Sequence, residues 1–465
     1  MVSGQVQAQF GDLLQKLQKL QAPGQQQLAP SPQNNAAPVS GQASTGASQR
    51  KNTGLLPSKQ WCGQQVGALG NLKVDTGLIA SEFAVPELEA LQDRFFEALK
   101  RDKITRTFPS ARFFQASFET KKVRALYDTF LAFPEPDTLA ALIKVSRDPD
   151  QQERADALMA LSFLHLQAPE ISVNKDRWFE LYQKALSGGD HFTALVFRAR
   201  MNAYGEYGPK NLSQAVGDLV TAGGLKSQYS SGDGIRKEFD IQNYLLIHTA
   251  TIKDIFNNEP KFPGRQAWQG PAQMGMQIEQ AQAAFERQLP NTRIGKMYRE
   301  ADRLNTESIE IGNSIIKSTQ SGNQTTGQIQ SIESLRASRQ GEKPVFEDIS
   351  PEVQAAQMKV ISANASLDDQ QKKMLSQAHE KRLAAQGVIS QTYGELLNMM
   401  MSSMSGDMAR MAAPLPALRQ ANNSLIQSCI ITAKWEQAMR AKDVPKPDMK
   451  KAESAVEDLN NKYKD

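Results

Sequence analysis

Apolar and small residues recur in steps of three and four along part of the C-terminal half of the chain. This seam extends from Ile294 to Ile332, which is nearly six heptads. Its positions are Ile294, Met297, Ala301, Leu304, Ser308, Ile311, Ile315, Ser318, Gly322, Thr325, Ile329 and Ile332. This spacing predicts a long helix that packs along one side against another helix. The small residues in its middle let that neighbour come close, so they favour a bundle over a leucine-type zipper.

A second long helix is predicted after a polar turn at 339–351. Ser350 is placed to cap it and Pro351 to occupy its first position, and it extends to Ala412. The prolines at 414–416 end it, and a shorter helix follows. Long helices joined by turns predict an antiparallel hairpin or bundle over 272–441.

The N-terminal half is predicted to form a separate helical domain over 61–260. The stretch 85–103 has apolar residues at helical spacing, with Pro86 near its first turn. Two more helices are separated at 134–136, and Asp137 is placed to cap the second. The last segment, 442–465, is highly charged and is predicted to be a frayed or solvated tail. The fold class is therefore all-α.

Residues 152–225 partly repeat themselves at an offset of 37 positions. The matched pairs are Ala157 and Ala194, Asn174 and Asn211, and Ala185 and Ala222. Each unit is predicted to be a helix, a polar turn and a second helix that ends in glycine. In the second unit the turn is "YGEYGPKN", with Asn211 placed to cap the next helix. A fixed period of this length is typical of stacked helix pairs, which give the domain a short solenoid-like portion.

These residues resemble Sel-one-like repeats, which are relatives of tetratricopeptide repeats. The second unit matches at Tyr204, Gly208, Gln214-Ala215 and Ala222-Gly223-Gly224, and the first unit at Trp178, Tyr182, Ala185 and Gly188. The first unit lacks the glycine turn, and no third unit is recognisable. The resemblance implies that the region binds protein and has no catalysis of its own. It makes Trp178, Tyr182, Tyr204 and Tyr207 the candidate binding residues.

The region 290–440 has a weaker resemblance to minor-pilin-like long-helix proteins of type IV secretion and conjugation systems. The stretch "IIKSTQSGNQTTGQIQSIESL" at 315–335 carries it through its glutamine- and asparagine-rich helical texture. Those proteins lack a large N-terminal helical region. The resemblance implies a component of an envelope machine.

The N-terminal arm is predicted to hold one short amphipathic helix at 9–21. The apolar residues that would dock this helix on a partner are Phe10, Leu13, Leu17 and Leu20. The following segment, 22–60, is rich in glutamine, alanine and proline, and it is predicted to be a disordered linker.

Val6-Gln7-Ala8 has the small-x-small form of a signal-peptidase site, with Gln9 as the new N-terminus. No apolar stretch precedes it, so residues 1–8 are interpreted as the end of a signal peptide with Met1 as an internal start. A mitochondrial transit peptide is the alternative, but arginine is scarce before Arg50. We expect a bacterial protein that is periplasmic or secreted.

The charge balance disfavours a nucleic-acid-binding protein. The chain has 54 basic and 50 acidic residues, a net charge of +4. Five of the basic residues and one acidic residue lie in 1–60, which leaves 49 of each sign in the rest. A neutral body lacks the basic face that binds nucleic acid. No window approaches the roughly 18 apolar residues of a transmembrane span.

No sequence motif points to catalysis, a cofactor or a metal. The four histidines lack metal-ligand spacing, and no phosphate-binding glycine motif occurs. Cys62 and Cys429 leave two alternatives equally open, a long-range disulfide or two buried thiols. Leu397, Met401, Met404, Met408 and Met411 have heptad spacing, which favours core packing over partner docking or a copper(I) site.

The sequence thus favours a non-enzymatic scaffold or subunit of a bacterial cell-envelope assembly, acting through protein–protein contacts. A secreted effector or adaptor is the main alternative, and a helical hydrolase with a site assembled from scattered residues is the other. Homo-oligomerisation remains open.

Overall fold

The computed structural model is all-α throughout the part of the chain that it describes, which confirms the predicted fold class. That part comprises residues 74–101, 120–228, 269–319, 351–363, 366–403 and 415–464, apart from Pro86 and Asp190, together with Phe118 and a few isolated positions that include Leu56 and Cys62. Within it, 81% of the residues are helical and no strand is present. An isolated bridge joins Phe83 to Ser172.

The N-terminal body is built from short and medium helices. They are α1 (Thr76–Ala80), α2 (Leu88–Arg101), α3 (Lys121–Ala132), α4 (Pro136–Val145), α5 (Gln151–Gln167), α6 (Arg177–Ser187), α7 (Phe192–Tyr204) and α8 (Leu212–Gln228). Helices α5 and α6 pack as one hairpin and α7 and α8 as another. The core of this body surrounds α5, in which residues 155–165 are all buried.

Two helix caps are predicted in this body, at Asn211 and at Asp137. The Asn211 side chain accepts a hydrogen bond from Gln214 N–H at 3.0 Å, so the prediction that Asn211 caps α8 is confirmed. The prediction for Asp137 is wrong. Helix α4 begins one residue before it, at Pro136, and Glu135 is the N-cap residue. Proline is well suited to the first helical position, and Asp137 lies in the first turn, where the helix dipole favours a carboxylate.

The C-terminal body is a bundle of longer helices. They are α9 (Gln269–Gln288), α10 (Arg293–Thr319), α11 (Pro351–Ala363), α12 (Asp369–Ser403), α13 (Leu415–Ala441) and α14 (Met449–Lys462). Helix α12 packs against α10, α13 and α14, and its residues 382–390 are buried without interruption. It is therefore the central helix of the bundle.

Helices α10 and α12 run antiparallel, as the polar contacts along them show. Arg293 at the start of α10 pairs with Glu395 near the end of α12. Gln371 Nε2 at the start of α12 donates to Ser318 Oγ at the end of α10, at 3.1 Å. The predicted seam is the buried side of α10, except that Ile311 is half-buried and Ser318 is exposed. Its continuation from Gly322 to Ile332 lies outside the described residues.

The second long helix is divided, which the sequence did not predict. Helix α11 ends at Ala363 and α12 begins at Asp369. Asp368 accepts a hydrogen bond from Gln371 N–H at 2.7 Å, and the Gln371 side chain accepts one from Asp368 N–H at 3.0 Å. This reciprocal capping box starts a new helix. Of the predicted methionine seam, Leu397 packs against the bundle core, and Met404, Met408 and Met411 lie outside the described residues.

The expectation of a frayed or solvated tail is wrong, because α14 is a docked helix. Asp448 caps it by accepting from Lys450 N–H at 3.0 Å and Lys451 N–H at 3.3 Å. Ala452, Val456 and Leu459 are buried in the bundle core. These three residues form a narrow apolar stripe at helical spacing, which the high charge of the segment obscures.

The two bodies contact each other directly. Lys434 Nζ on α13 lies 2.5 Å from Glu135 Oε2, and Lys359 Nζ on α11 lies 3.0 Å from Glu89 Oε2. Phe133, which follows α3, packs in one apolar cluster with Trp435 of α13. In the described part of the chain, no helix is long and apolar enough to cross a membrane.

A substitution in α14 tests its docking. Val456→Ala removes two buried methyl groups and should lower the free energy of unfolding by about 2 kcal/mol. Ser454→Ala on the exposed side of the same helix serves as the matched control, with an expected change within about 0.5 kcal/mol. Equal effects in chemical denaturation would show that α14 does not bury Val456.

Candidate protein-binding face

Helix α6 carries three aromatic residues within five positions. Asn174 Oδ1 accepts from Asp176 N–H at 2.9 Å in the turn that leads into the helix. The carbonyl oxygen of Trp178 accepts from Ser162 Oγ of α5 at 2.8 Å, which fixes the start of α6 against the central helix. Phe179 is 39% exposed, whereas Trp178 is half-buried.

The turn after α7 brings two tyrosines to the same place. Gly205 ends α7 in the left-handed conformation, with φ 69°, and Glu206 N–H donates to Met201 O at 3.0 Å. Asn211 N–H donates to Asn202 O at 2.8 Å and closes the turn. Tyr207 is also left-handed, with φ 61°. Such a conformation costs a non-glycine residue about 1–2 kcal/mol, and strain of this kind clusters at functional sites.

We call four aromatic residues the aromatic face: Trp178, Phe179 and Tyr207, which are in contact, and Tyr204, which precedes Tyr207 by three residues. The ring centroids of Trp178 and Tyr207 are 4.7 Å apart, and those of Trp178 and Phe179 are 5.3 Å apart. Tyr204 and Tyr207 are 42% and 55% exposed. Exposed aromatic clusters of this kind mark interaction sites.

A buried charge pair supports the aromatic face. The Arg200 guanidinium lies over the Tyr204 ring at 5.7 Å, and Arg200 Nε lies 3.7 Å from Glu206 Oε2. Burial lowers the pKa of Arg200 to about 9, against the opposing effect of Glu206, so the guanidinium remains charged at neutral pH. Burial likewise raises the pKa of Glu206. The cation polarises the tyrosine ring and holds it in place.

Of the four predicted repeat-region residues, the structure brings Trp178 and Tyr207 into contact and leaves Tyr204 exposed at the end of α7. Tyr182 is only 3% exposed, and its ring packs against Phe197 in the core at 5.7 Å, so it offers no surface to a partner. Sequence reasoning missed Phe179, whose signal is an aromatic residue at a position where an amphipathic helix usually has a polar one. The other candidates, Phe10, Leu13, Leu17 and Leu20, lie outside the described residues.

A buried cluster of titratable residues lies around the start of α6. Arg177 donates to both oxygens of Glu82, from Nε and Nη2, at 2.7 Å each. His165 Nε2 lies 3.4 Å from Glu82 Oε2, and His165 Nδ1 lies 2.7 Å from Ser172 Oγ. The order serine, histidine, carboxylate is that of a nucleophilic triad. Here both oxygens of the Glu82 carboxylate accept from Arg177, and Ser172 Oγ also donates to Ala168 O at 3.3 Å. These contacts hold the loops that carry Glu82 and Ser172 against α5 and α6.

The contacts of Glu82 with His165 and Arg177 lower the pKa of its carboxyl group. Burial alone would raise it, but His165 and the hydrogen bonds and charge of Arg177 outweigh burial and hold the pKa at about 2. Burial lowers the pKa of His165 and keeps the imidazole neutral.

No set of three or more His, Cys, Asp or Glu side chains is arranged to hold a metal ion in the residues that the structure describes. His191 is the N-cap residue of α7. Its Nε2 lies 2.8 Å from Asp156 Oδ1, and its Nδ1 accepts from Ala194 N–H at 3.3 Å.

No protein-family model, curated protein or solved structure matches the chain. The resemblances to Sel-one-like repeats and to minor-pilin-like proteins therefore stay predictions, and function has to be argued from the aromatic face and the residues around it.

Replacing Glu82 by glutamine tests the buried cluster. The folded pKa of about 2 lies below the ordinary value of 4.5, so Glu82 stabilises the fold fully above about pH 4.5 and loses this effect as the pH falls towards 2. Glu82→Gln should lower the free energy of unfolding by about 3 kcal/mol at pH 7 and remove part of its fall below pH 4.5. Exposed Glu87→Gln is the control, and the same acid profile for both variants in urea unfolding would contradict the role of Glu82.

Proposed function

We propose that the protein is a non-enzymatic scaffold or subunit of a bacterial cell-envelope assembly, and that it binds a protein partner through the aromatic face. The observation that carries the proposal is that exposed Phe179 and exposed Tyr207 both contact Trp178 at the start of α6, with exposed Tyr204 at the end of α7. Tyrosine and tryptophan dominate the energetic centres of protein interfaces. They supply large contact areas at little cost in side-chain entropy.

The chemistry of the aromatic face favours a particular kind of partner. Flat rings bury apolar side chains, and the tyrosine hydroxyl groups donate hydrogen bonds to acceptors at the rim. Arg200 lies beneath Tyr204 and makes that ring region electropositive. The suitable partner is a protein segment with apolar side chains and backbone carbonyl groups or a carboxylate at its edge.

The disulfide supports the proposed compartment. Cys62 and Cys429 are bonded, with their Cα atoms 5.4 Å apart. Structural disulfides persist in oxidising compartments such as the periplasm and the extracellular space. The bond agrees with the interpretation of Val6-Gln7-Ala8 as a signal-peptidase site.

Two finer versions of the proposal share this face and this bond. In a type IV secretion or conjugation component, the antiparallel pair α10 and α12 would be the element that docks in the machine. A secreted effector or adaptor would use the aromatic face on a host protein. Recovery from the periplasm favours the first version, and recovery from the medium favours the second.

Site-specific cross-linking tests the aromatic face. A benzoyl-phenylalanine in place of Phe179 should capture one discrete protein partner in native cells under ultraviolet light. Adding Tyr207→Asn should reduce this product about tenfold. Asparagine tolerates the left-handed conformation, so the free energy of unfolding should change by no more than about 1 kcal/mol.

Two controls accompany that experiment. The same probe at Met276, which is 37% exposed on α9, should not give the product. Val173→Asn changes an exposed residue outside the aromatic face and should leave the product intact. A product that forms equally from both probe positions, or that survives Tyr207→Asn, would exclude the aromatic face as the binding site.

Thiol trapping tests the compartment. When native cells are quenched in acid and treated with a maleimide of high mass, the protein should gain no label until a reductant is added. After reduction it should gain two labels, one for each cysteine. Cys429→Ser should release Cys62 for labelling without reductant. Labelling of the unreduced wild-type protein would contradict an oxidising compartment.

A further inference from the structure

Arg382 is a buried charge that lacks an ionic partner within the described part of the chain. It lies on α12 among the continuously buried residues 382–390 and is 2% exposed. Its guanidinium lies over the Trp435 ring, 4.4 Å from the centroid. No described carboxylate lies within 4.0 Å of it, and its Nε–H has no described acceptor.

The other buried arginines of the described residues are different. Arg124 Nε lies 3.6 Å from Asp128 Oδ2, and Arg200 Nε lies 3.7 Å from Glu206 Oε2. Each of them therefore has a carboxylate close by, as buried charges require. Among the buried arginines that the structure describes, Arg382 alone has no carboxylate within 4.0 Å.

Further polar groups without described partners surround Arg382. His379 lies one turn earlier on α12 and is 1% exposed, and neither of its ring nitrogens makes a hydrogen bond in the described part. The nearest described carboxylate to it is Glu436, with Oε1 3.8 Å from Nε2. Trp435 Nε1–H likewise has no described acceptor. The cluster thus offers several donors without a described acceptor, and Glu436 approaches it only at His379.

The charge states make this an anion site. Burial lowers the pKa of Arg382 to about 9, so the guanidinium is protonated at neutral pH. Burial and the nearby Arg382 lower the pKa of His379, against the effect of Glu436, which keeps the imidazole neutral and able to donate one hydrogen bond. The buried groups therefore carry one positive charge, that of Arg382, and the Glu436 carboxylate at the edge of the cluster is 41% exposed.

We propose that Arg382, His379 and Trp435 form a binding site for one small carboxylate from solution. A carboxylate matches the single positive charge and the paired donors of a guanidinium. Phosphate or sulfate would bring a second negative charge into the core, and nothing described there would compensate it. Trp435 Nε1–H and one ring N–H of His379 remain as further donors without a described acceptor.

The site lies close to the disulfide between Cys62 and Cys429. Gln386 follows Arg382 by one turn of α12, and its Nε2 lies 3.2 Å from Cys62 Sγ and 3.3 Å from Cys429 Sγ. A bound carboxylate would therefore stabilise the part of the bundle to which the Cys62 segment is attached.

Thermal unfolding of the full-length protein in two buffers tests the proposal. The wild-type midpoint should rise by about 2–4 °C in 100 mM sodium acetate relative to 100 mM sodium chloride. Arg382→Met removes the charge while keeping much of the stem that packs on Trp435. This variant should lose the acetate-dependent rise and should unfold at or above the wild-type midpoint in chloride, because no uncompensated charge remains.

Two outcomes overturn the proposal. One is an acetate-dependent rise of the same size in wild type and Arg382→Met, which would be a general salt effect. The other is an equal loss of midpoint by Arg382→Met in both buffers, which would mean that the arginine is paired within the chain. If the variant does not fold, calorimetric titration of acetate into the wild-type protein decides: saturation at one site supports the proposal, and a non-saturating signal overturns it.

Discussion

Both bodies of the protein are organised around a helix that is buried on every side. Residues 155–165 of α5 and residues 382–390 of α12 are buried without a break, so neither helix has a solvent-facing stripe within these stretches. Polar residues in such helices have to find partners inside the core. Their polar contacts attach the neighbouring elements to the central helix. Asp156 accepts from Thr120 at 2.6 and 2.8 Å and contacts His191 at 2.8 Å, which fixes the starts of α3 and α7 on α5.

The same constraint positions the aromatic face. Ser162 of α5 donates to the carbonyl group of Trp178, and His165 of α5 contacts Ser172 and approaches Glu82 in the cluster that holds Arg177. The aromatic residues of α6 therefore sit on a backbone held by buried hydrogen bonds. A rigid platform of this kind binds with less loss of conformational entropy than a loop would. In α12 the polar residue with such contacts is Gln386, whose amide contacts both disulfide sulfurs. Arg382 on the same helix has no described hydrogen-bond acceptor for its Nε–H.

Sequence reasoning succeeded where the deciding interaction is local. The helical seam from Ile294 and the cap at Asn211 depend on neighbours within four residues, and the structure confirms them as far as it describes them. It failed where distant residues decide. Docking of α14 depends on α12, against which it packs, and on α10, where Glu300 accepts from Lys462 and Tyr463 at 2.8 Å each. Tyr182 is buried because Phe197 of α7 covers it, which its own helix does not reveal.

The contacts between the two bodies hold them in one arrangement, in contrast to two independent modules. Phe133 and Trp435 belong to one apolar cluster, and Lys434 pairs with Glu135 next to it. Half-buried ion pairs beside apolar contacts fix orientation more than they add stability. A chain of packed helices links the aromatic face to these contacts. Helix α5 packs on α3, and α3 packs on α13. A partner bound at the aromatic face would therefore be held at a fixed orientation to the bundle.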